Sequence, residues 1–299
     1  MSPVRVDDAH GGSFVKVFGL AASKFPGCGR FSPGYTERVP PVDNYLVCAS
    51  QRSGSTLLVE SLAATGVAGT PEEFFQEFPS SSHSPQPREW FADVDDPQIL
   101  DLLAEVDDGV VDGRTFAQWR ADVLAEGRSA NGVWGGKLMW NQTPLLITRA
   151  RIGSGSLRAA IRALLGSDPL YVHVYREDVV PQAVSMWRAV QTRVWRHDGG
   201  QDADTAVYHA EGIAHLARIL LQQERSWRDW FVAEGIEPLE IEFAELTKDP
   251  SGTTARVLSA LGQDPTLAPP PPLKPQSDAR SKEWVERYRD DAVRNGYPQ

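Results

Sequence analysis

A short run of small, hydroxylated and basic residues near position 50 has the composition of an anion-binding loop. Ser-Gln-Arg-Ser-Gly-Ser-Thr occupies residues 50–56, after the apolar residues 45–49 and before apolar residues at helical spacing. A strand, a tight polar loop and a helix in this order direct several backbone N–H groups at one ligand. Glycine permits close backbone approach, hydroxyls donate hydrogen bonds and arginine supplies a planar cation. We therefore predict a phosphate-binding loop. Its candidate binding residues are Ser50, Arg52, Ser53, Gly54, Ser55 and Thr56.

This loop differs from the phosphate-binding loop of nucleoside triphosphatases. Those proteins carry Gly-x-x-x-x-Gly-Lys-Ser/Thr, in which the lysine reaches the terminal phosphates and the hydroxyl binds magnesium. Here no Gly-Lys-Ser/Thr follows, and the cation of Arg52 precedes Gly54. A P-loop kinase or triphosphate-driven switch is therefore the less favoured alternative.

A second candidate anion site follows a later apolar run. Residues 169–175 are β-branched and aromatic, as in a buried strand, and Arg176 stands immediately after them. The helix expected after Arg176 carries Ser185 and further arginines. Ligands of an open parallel sheet bind beyond the carboxyl ends of its strands, so both sites are expected at one edge. Together they indicate a ligand with two separated phosphate-like groups.

Two adjacent carboxylates, Glu72 and Glu73, follow the helix after the loop. One of them could accept a proton at a reaction centre, or both could begin a helix and complement its dipole. Lys137, in the apolar run 133–140, either faces a ligand or extends its ammonium group to solvent from a strand end. The Ser/Pro/His-rich residues 79–87 predict a binding loop or lid.

The alternation of apolar runs and helical patterns predicts an α/β, three-layer, P-loop-like fold with a mostly parallel central sheet flanked by helices. The expected strands are residues 45–49, 133–140, 169–175 and 238–243. Residues 1–43 are expected to form a flexible N-terminal extension, and residues 44–299 a single domain. The basic helix at 280–290 is expected to be a solvated terminal helix, with closure over the ligand as the alternative.

Composition narrows the function classes. The 299 residues carry a formal net charge of −10, which argues against general nucleic-acid binding. The two cysteines, Cys28 and Cys48, are not expected to form a disulfide framework, which fits a reducing cytoplasm. No run approaches the roughly 18 apolar residues of a membrane span, and no His/Cys/Asp/Glu cluster has metal-ligand spacing. We therefore expect a cytoplasmic protein with no membrane span, nucleic acid or metal.

Several motifs in order resemble those of the actinobacterial trehalose 2-sulfotransferase family. They are Ser-Gln-Arg-Ser-Gly-Ser-Thr-Leu-Leu at 50–58, Pro-Glu-Glu-Phe-Phe-Gln at 71–76, Ser-Pro-Gln-Pro-Arg-Glu-Trp-Phe at 84–91, Trp-Gly-Gly-Lys-Leu-Met-Trp-Asn-Gln at 134–142 and Gln-Ala-Val-Ser-x-Trp-Arg-Ala-Val-Gln-Thr-Arg-Val-Trp at 182–195. The resemblance covers residues 44 to the C-terminus and excludes residues 1–43.

This resemblance implies a sulfuryl donor, 3′-phosphoadenosine 5′-phosphosulfate (PAPS), which has the two anionic groups expected above. By the family pattern, the 50–56 loop holds the 5′-phosphosulfate, while Arg176 and Ser185 hold the 3′-phosphate. The family's general base falls on Glu73, and a homodimer is implied. The family's trehalose contacts fall on Gln51, Glu73, Gln76, Pro85 and Trp90. Thr70 stands where family members often have an acidic residue, which bears on trehalose specificity.

The chemistry of sulfuryl transfer gives these residues roles. A sugar hydroxyl is a poor nucleophile near neutral pH, so a carboxylate must take its proton; Glu73 is the candidate, with Glu72 and His83 as runners-up. Arg52 would stabilise the leaving oxygen, so Glu73 and Arg52 are the predicted catalytic pair. The aromatic residues Phe74, Phe75 and Trp90 would exclude water and stack on sugar faces.

Alternatives to trehalose sulfation remain open at this point. The same chemistry on another glycoside, a glycolipid or a sugar-bearing secondary metabolite is the nearest of them. A catalytically silent protein that binds PAP, the nucleotide product, is the more distant one.

Overall fold

The computed structural model describes residues 43–76, 87–104, 112–153, 155–195, 205–270 and 279–299. All of them belong to one compact unit. The predicted extension lies outside the described residues except for Asp43, as do His83 and the candidate sugar contact Pro85.

The centre of the fold is a four-stranded parallel sheet in the order β2-β1-β3-β4. Its strands are β1 (Asn44–Ala49), β2 (Trp134–Met139), β3 (Leu170–Tyr175) and β4 (Leu239–Glu242). These positions confirm the four predicted strands. In the register of the sheet, Val47 of β1 lies opposite Lys137 of β2 and Val172 of β3.

Helices connect the strands and cover both faces of the sheet. They are α1 (Ser55–Ala64), α2 (Pro97–Leu100), α3 (Phe116–Glu126), α4 (Thr143–Arg149), α5 (Leu157–Leu165), α6 (Val179–Thr192), α7 (Ala210–Glu234), α8 (Phe243–Lys248), α9 (Pro250–Ala260) and α10 (Ala279–Asn295). Short 3-10 helices span Pro87–Phe91, Trp140–Gln142 and Pro265–Leu267. Among the described residues, no helix is both long and apolar enough to cross a bilayer.

The side chains of β1 show how the layers form. Alternate residues of a strand point to opposite faces of a sheet. Tyr45, Val47 and Ala49 accordingly join a core with apolar residues of α1 and α9, whereas Leu46 and Cys48 join a core with residues of α3, α5 and α7. A strand buried on both faces must be apolar throughout, as in a central parallel strand. The predicted three-layer α/β fold is confirmed.

Helix α10 is not a solvated terminal helix, and that expectation is wrong. Trp284, Tyr288 and Ala292 recur at intervals of four residues, which places them on one face of the helix. All three are buried in a third core, which α10 forms with α6 and α7. The burial of two large aromatic side chains outweighs the charged composition of the remaining faces.

Candidate active site

The predicted phosphate-binding loop lies between the carboxyl end of β1 and the start of α1. Two of its residues have left-handed backbone conformations, Arg52 with φ 61° and Gly54 with φ 91°. A Cβ atom on Gly54 would lie 2.7 Å from Cδ2 of Phe243, at the start of α8. Glycine is favoured there because a side chain would be strained at this backbone angle and would displace the nearby ring.

The N-terminus of α1 suits an anion. Gly54 provides no side-chain cap, and the first turn contains no acidic residue. The first amides of a helix have no partners within it, and they carry the positive end of its dipole. Ser53 adds a hydroxyl that is fully buried and has no hydrogen-bond partner among the described residues. Buried polar atoms are normally paired, so the unpartnered hydroxyl fits a ligand contact.

Arg52 extends from this loop to helix α6. Its Nε donates to Ser185 Oγ at 2.9 Å, and its Nη1 donates to the carbonyl of Trp195 at 2.6 Å. Burial lowers the pKa of Arg52, and the positive charge of Arg188 lowers it further. Concentrated positive charge of this kind is relieved by a bound anion.

Arg176 follows β3, and its guanidinium group lies 4.1 Å from the ring centre of Phe243. Burial lowers the pKa of Arg176 to about 10; the charge of Arg52 adds to this effect, whereas Asp178 and Glu242 oppose it. The two predicted anion-binding stretches are therefore close enough in space to influence each other electrostatically. Phe243 contacts both, because it also packs against Gly54.

Glu73 lies on a short extended segment at the outer edge of β2. Glu72 forms a parallel bridge with Gly136, and the backbone N–H of Lys137 donates to the Glu72 carbonyl at 3.0 Å. Adjacent residues of an extended chain point in opposite directions. Glu72 is exposed and Glu73 is partly buried. The alternative that these carboxylates begin a helix is wrong.

The Glu73 carboxylate accepts hydrogen bonds at both oxygens. Oε1 lies 2.6 Å from Lys137 Nζ, and Oε2 accepts from Gln76 Nε2 at 2.6 Å and Gln142 Nε2 at 3.0 Å. Burial acts to raise the pKa of Glu73, but the charge of Lys137 and these hydrogen bonds outweigh it and hold the pKa below its usual value. Glu73 is therefore an ionised base near neutral pH.

Lys137 does not extend to solvent from a strand end. Its side chain is 1% exposed, and Nζ also donates to Thr56 Oγ1 at 3.2 Å. Because Thr56 lies in the first turn of α1, Lys137 joins the candidate base to the phosphate-binding loop.

The side chains proposed to contact the sugar have different partners in the structure. Gln51 donates to Asn141, while Trp90 packs edge-to-face on Trp195 with ring centres 5.8 Å apart. The ring of Phe74 packs against that of Trp134, with ring centres 6.0 Å apart. Phe75 is 2% exposed and packs in the core, so the expectation that it stacks on a sugar is wrong.

Some residues of the site had no role in the sequence interpretation. Gln142 binds Glu73, Asn141 binds Gln51, and Gln182 donates to Ser50 Oγ at 3.0 Å and the Gln51 carbonyl at 2.6 Å. Asn141 and Gln142 directly follow β2, and polar residues at the carboxyl end of a parallel strand are a readable signal. Gln182, inside α6, carries no such signal.

Comparisons with known proteins identify the family of this chain. The family described as Stf0 sulphotransferase matches residues 44–291. The trehalose 2-sulfotransferase of Mycolicibacterium smegmatis is 58% identical over 261 residues, which cover 85% of this chain and 97% of that protein. The trehalose 2-sulfotransferase of Mycobacterium tuberculosis is 57% identical over 260 residues, with the same coverage.

A weaker likeness appears among solved structures. The sulfotransferase domain of the Synechococcus PCC 7002 olefin synthase is 16% identical, with a TM-score of 0.33 over 83% of this chain and 95% of that one. The family match and the two close relatives, by contrast, each span most of the chain. On that basis the chain belongs to the Stf0 sulphotransferase family.

Proposed function

We propose that this protein transfers a sulfuryl group from PAPS to a carbohydrate hydroxyl, namely the 2-hydroxyl of trehalose. Two relatives more than half identical to this chain are named trehalose 2-sulfotransferase. The observation that carries the proposal is the placement of an ionised glutamate, Glu73, next to the phosphate-binding loop through the shared contact of Lys137 with Glu73 and Thr56.

The residues of the loop fit the donor nucleotide. The 5′-phosphosulfate is proposed to bind at the uncapped start of α1. It would accept hydrogen bonds from the unpartnered Ser53 hydroxyl and from the side chain of Arg52. Arg176 and Ser185 are proposed to hold the 3′-phosphate. When bound, PAPS supplies the sulfuryl group. The cations of Arg52 and Arg176 then counter the negative charge that the nucleotide brings into a partly buried site.

Glu73 is proposed to take the proton of the acceptor hydroxyl. A carboxylate offers about four lone-pair positions, and three are used here: two on Oε2 by Gln76 and Gln142, and one on Oε1 by Lys137. Oε1 therefore retains the capacity to accept the hydroxyl proton. Base catalysis of this kind contributes about 10²–10⁴ in rate.

The acceptor is proposed to contact Gln51, Phe74, Gln76, Pro85 and Trp90 in addition to Glu73. Of these, Gln76 already donates to Glu73, which would bring an acceptor-binding amide next to the base. We further expect a homodimer in the cytoplasm, with residues 44–299 as the catalytic domain and residues 1–43 as an extension. Light scattering of the purified protein measures the oligomeric state.

The proposal is tested by incubating the purified protein with PAPS and trehalose and analysing the sugar by mass spectrometry and NMR. We expect trehalose monosulfated at the 2-position. Glu73→Gln should retain PAP binding and lose about 10²–10⁴ in kcat. Glu72→Gln is the matched control, because it changes the neighbouring carboxylate that is exposed to solvent; its kcat should stay near that of the wild type.

Other outcomes identify the alternatives. Sulfation of another glycoside, a glycolipid or a secondary metabolite in preference to trehalose would show that the acceptor is not trehalose, whereas the proposed sulfuryl transfer from PAPS would stand. Magnesium-dependent ATP turnover would favour a P-loop kinase. Tight PAP binding with no transfer to any hydroxyl would indicate a silent nucleotide-binding protein. Full activity of Glu73→Gln would remove Glu73 as the base.

A further inference from the structure

We propose that Lys137 is a positioning residue for sulfuryl transfer: its ammonium group fixes the Glu73 carboxylate at the phosphate-binding loop and balances its charge. This inference rests on the function proposed above and states what the contacts of the buried Lys137 side chain do during the reaction.

The backbone enforces the contact. Lys137 lies inside β2, opposite Val47 of the central strand, and its N–H holds the segment that carries Glu73 through the Glu72 carbonyl. Its side chain then bridges two elements, with Nζ 2.6 Å from Glu73 Oε1 and 3.2 Å from Thr56 Oγ1. One ammonium group therefore sets the distance between the base and the start of α1.

Burial makes Glu73 and Lys137 depend on each other. A lysine that is 1% exposed needs an anionic partner, and its ion pair within the described residues is with Glu73. Burial acts to raise the pKa of Glu73, and the charge of Lys137 is the strongest influence that lowers it. Without that charge, burial would favour the protonated acid, which cannot accept a proton from a hydroxyl.

The pair also changes charge during the reaction. As the acceptor oxygen bonds to sulfur, its proton moves to Glu73, and the electron pair of the broken S–O bond leaves with the nucleotide. Glu73 is then neutral, while Lys137 remains positive and in contact with Thr56. A net positive charge thus arises beside the loop at the moment when negative charge grows on the leaving oxygen.

The test compares Lys137→Met, which removes the charge, with Lys137→Arg, which retains it. Lys248→Met, at the exposed end of α8, controls for loss of a lysine elsewhere. For each protein we measure PAP affinity by calorimetry and kcat/KM for trehalose across the pH range in which carboxylates and imidazoles titrate. Lys137→Met should bind PAP within about threefold of the wild type.

The decisive readout is the acidic limb of the pH profile. In Lys137→Met it should move to higher pH, so that the loss in kcat/KM at low pH exceeds the loss at high pH by about tenfold or more. Lys137→Arg should keep the limb at the wild-type position even if its kcat falls. A loss of equal size at every pH in Lys137→Met would mean that Lys137 only supports the fold, and would overturn the proposal.

A direct titration keeps the inference testable if Lys137→Met folds poorly. In wild-type protein labelled with ¹³C-glutamate, the resonance absent from Glu73→Gln belongs to Glu73. Titration below the usual range of a glutamate supports the proposal, and titration within or above that range overturns it. This measurement needs no turnover. A wild type that sulfates no sugar would therefore refute the proposed function alone.

Discussion

The glycine of the phosphate-binding loop allows a quantitative test of how the two anion sites are connected. Alanine at position 54 would have to adopt φ 91° with its Cβ 2.7 Å from Phe243 Cδ2 and 3.1 Å from Cε2. The ring cannot move freely, because the Arg176 guanidinium lies 4.1 Å from its centre. Gly54→Ala should therefore disturb both the 50–56 loop and Arg176.

The size of the effect follows from these contacts. A left-handed conformation costs an alanine about 1–2 kcal/mol, and a displaced cation–π contact costs about 0.5–2 kcal/mol. Part of the backbone strain is present both in the free protein and in the complex, and that part does not change the affinity. We therefore expect about 1–2 kcal/mol to appear as lost binding energy, which corresponds to roughly 5- to 30-fold weaker PAP binding.

Calorimetric titration with PAP at fixed salt measures this loss. Gly66→Ala is a matched control at the other end of α1, since Gly66 has φ 70° but no atom within 4 Å of its added Cβ. It should lower the melting temperature through backbone strain and leave PAP affinity unchanged. Phe243→Ala removes the obstructing ring, so Gly54→Ala should cost less affinity in that background than in the wild type.

Two results would refute this reasoning. Wild-type affinity in Gly54→Ala would show that the loop does not depend on its glycine. An equal loss of affinity in Gly66→Ala would show that general strain in α1, and not the contact with Phe243, is responsible.

The remaining predictions concern the second anion site, the third core and acid stability. Arg176→Lys retains the charge but loses the planar group on Phe243, so PAP should bind about tenfold more weakly in calorimetry; wild-type affinity would contradict this. Trp284→Ala should lower the free energy of unfolding by about 3–5 kcal/mol in urea titrations, because the indole is 4% exposed between α10 and its neighbours; an unchanged midpoint would mean that α10 packs weakly. Hydrogen bonds from Arg158 and Arg162 hold the pKa of Asp168 well below its usual range. The Asp168 carboxylate therefore stabilises the fold above the pKa that it has in the unfolded chain, and this stabilisation is lost as pH falls through its lower pKa in the folded protein. Asp168→Asn should be less stable than the wild type near neutral pH and converge with it in acid, and parallel stability curves would exclude this contribution.

Strands β1, β2 and β3 were predictable from the sequence because they are buried on both faces, whereas β4 lies at the edge of the sheet with Ile241 as its one buried residue. Tyr45 to Ala49 is apolar at every position, and both faces of β1 meet covering helices. The proximity of the two proposed anion-binding stretches was also predictable, since Arg52 and Arg176 each follow a buried strand and the carboxyl ends of parallel strands meet at one edge.

The environment of the candidate base was not predictable, because it depends on contacts between residues distant in sequence. Lys137 was recognisable as an unusual cation in an apolar run, but only the pairing of residue 72 with β2 shows that its partner is Glu73. The burial of α10 was missed for another reason: its many charged residues obscured a spacing of four between Trp284 and Tyr288 that was visible in the sequence.

The position of β2 at the edge of the sheet has a consequence for how acceptor preference can change. The nucleotide-contacting residues proposed here follow the two central strands, where any alteration would disturb packing on both faces. The segment with Glu73 is instead attached to the outer side of a border strand through the bridge at residue 72. New sugar preferences can therefore be sought by replacing residues 87–91 and the residues of 70–76 other than the proposed base Glu73, while the proposed donor-binding residues Arg52 and Arg176 stay unchanged.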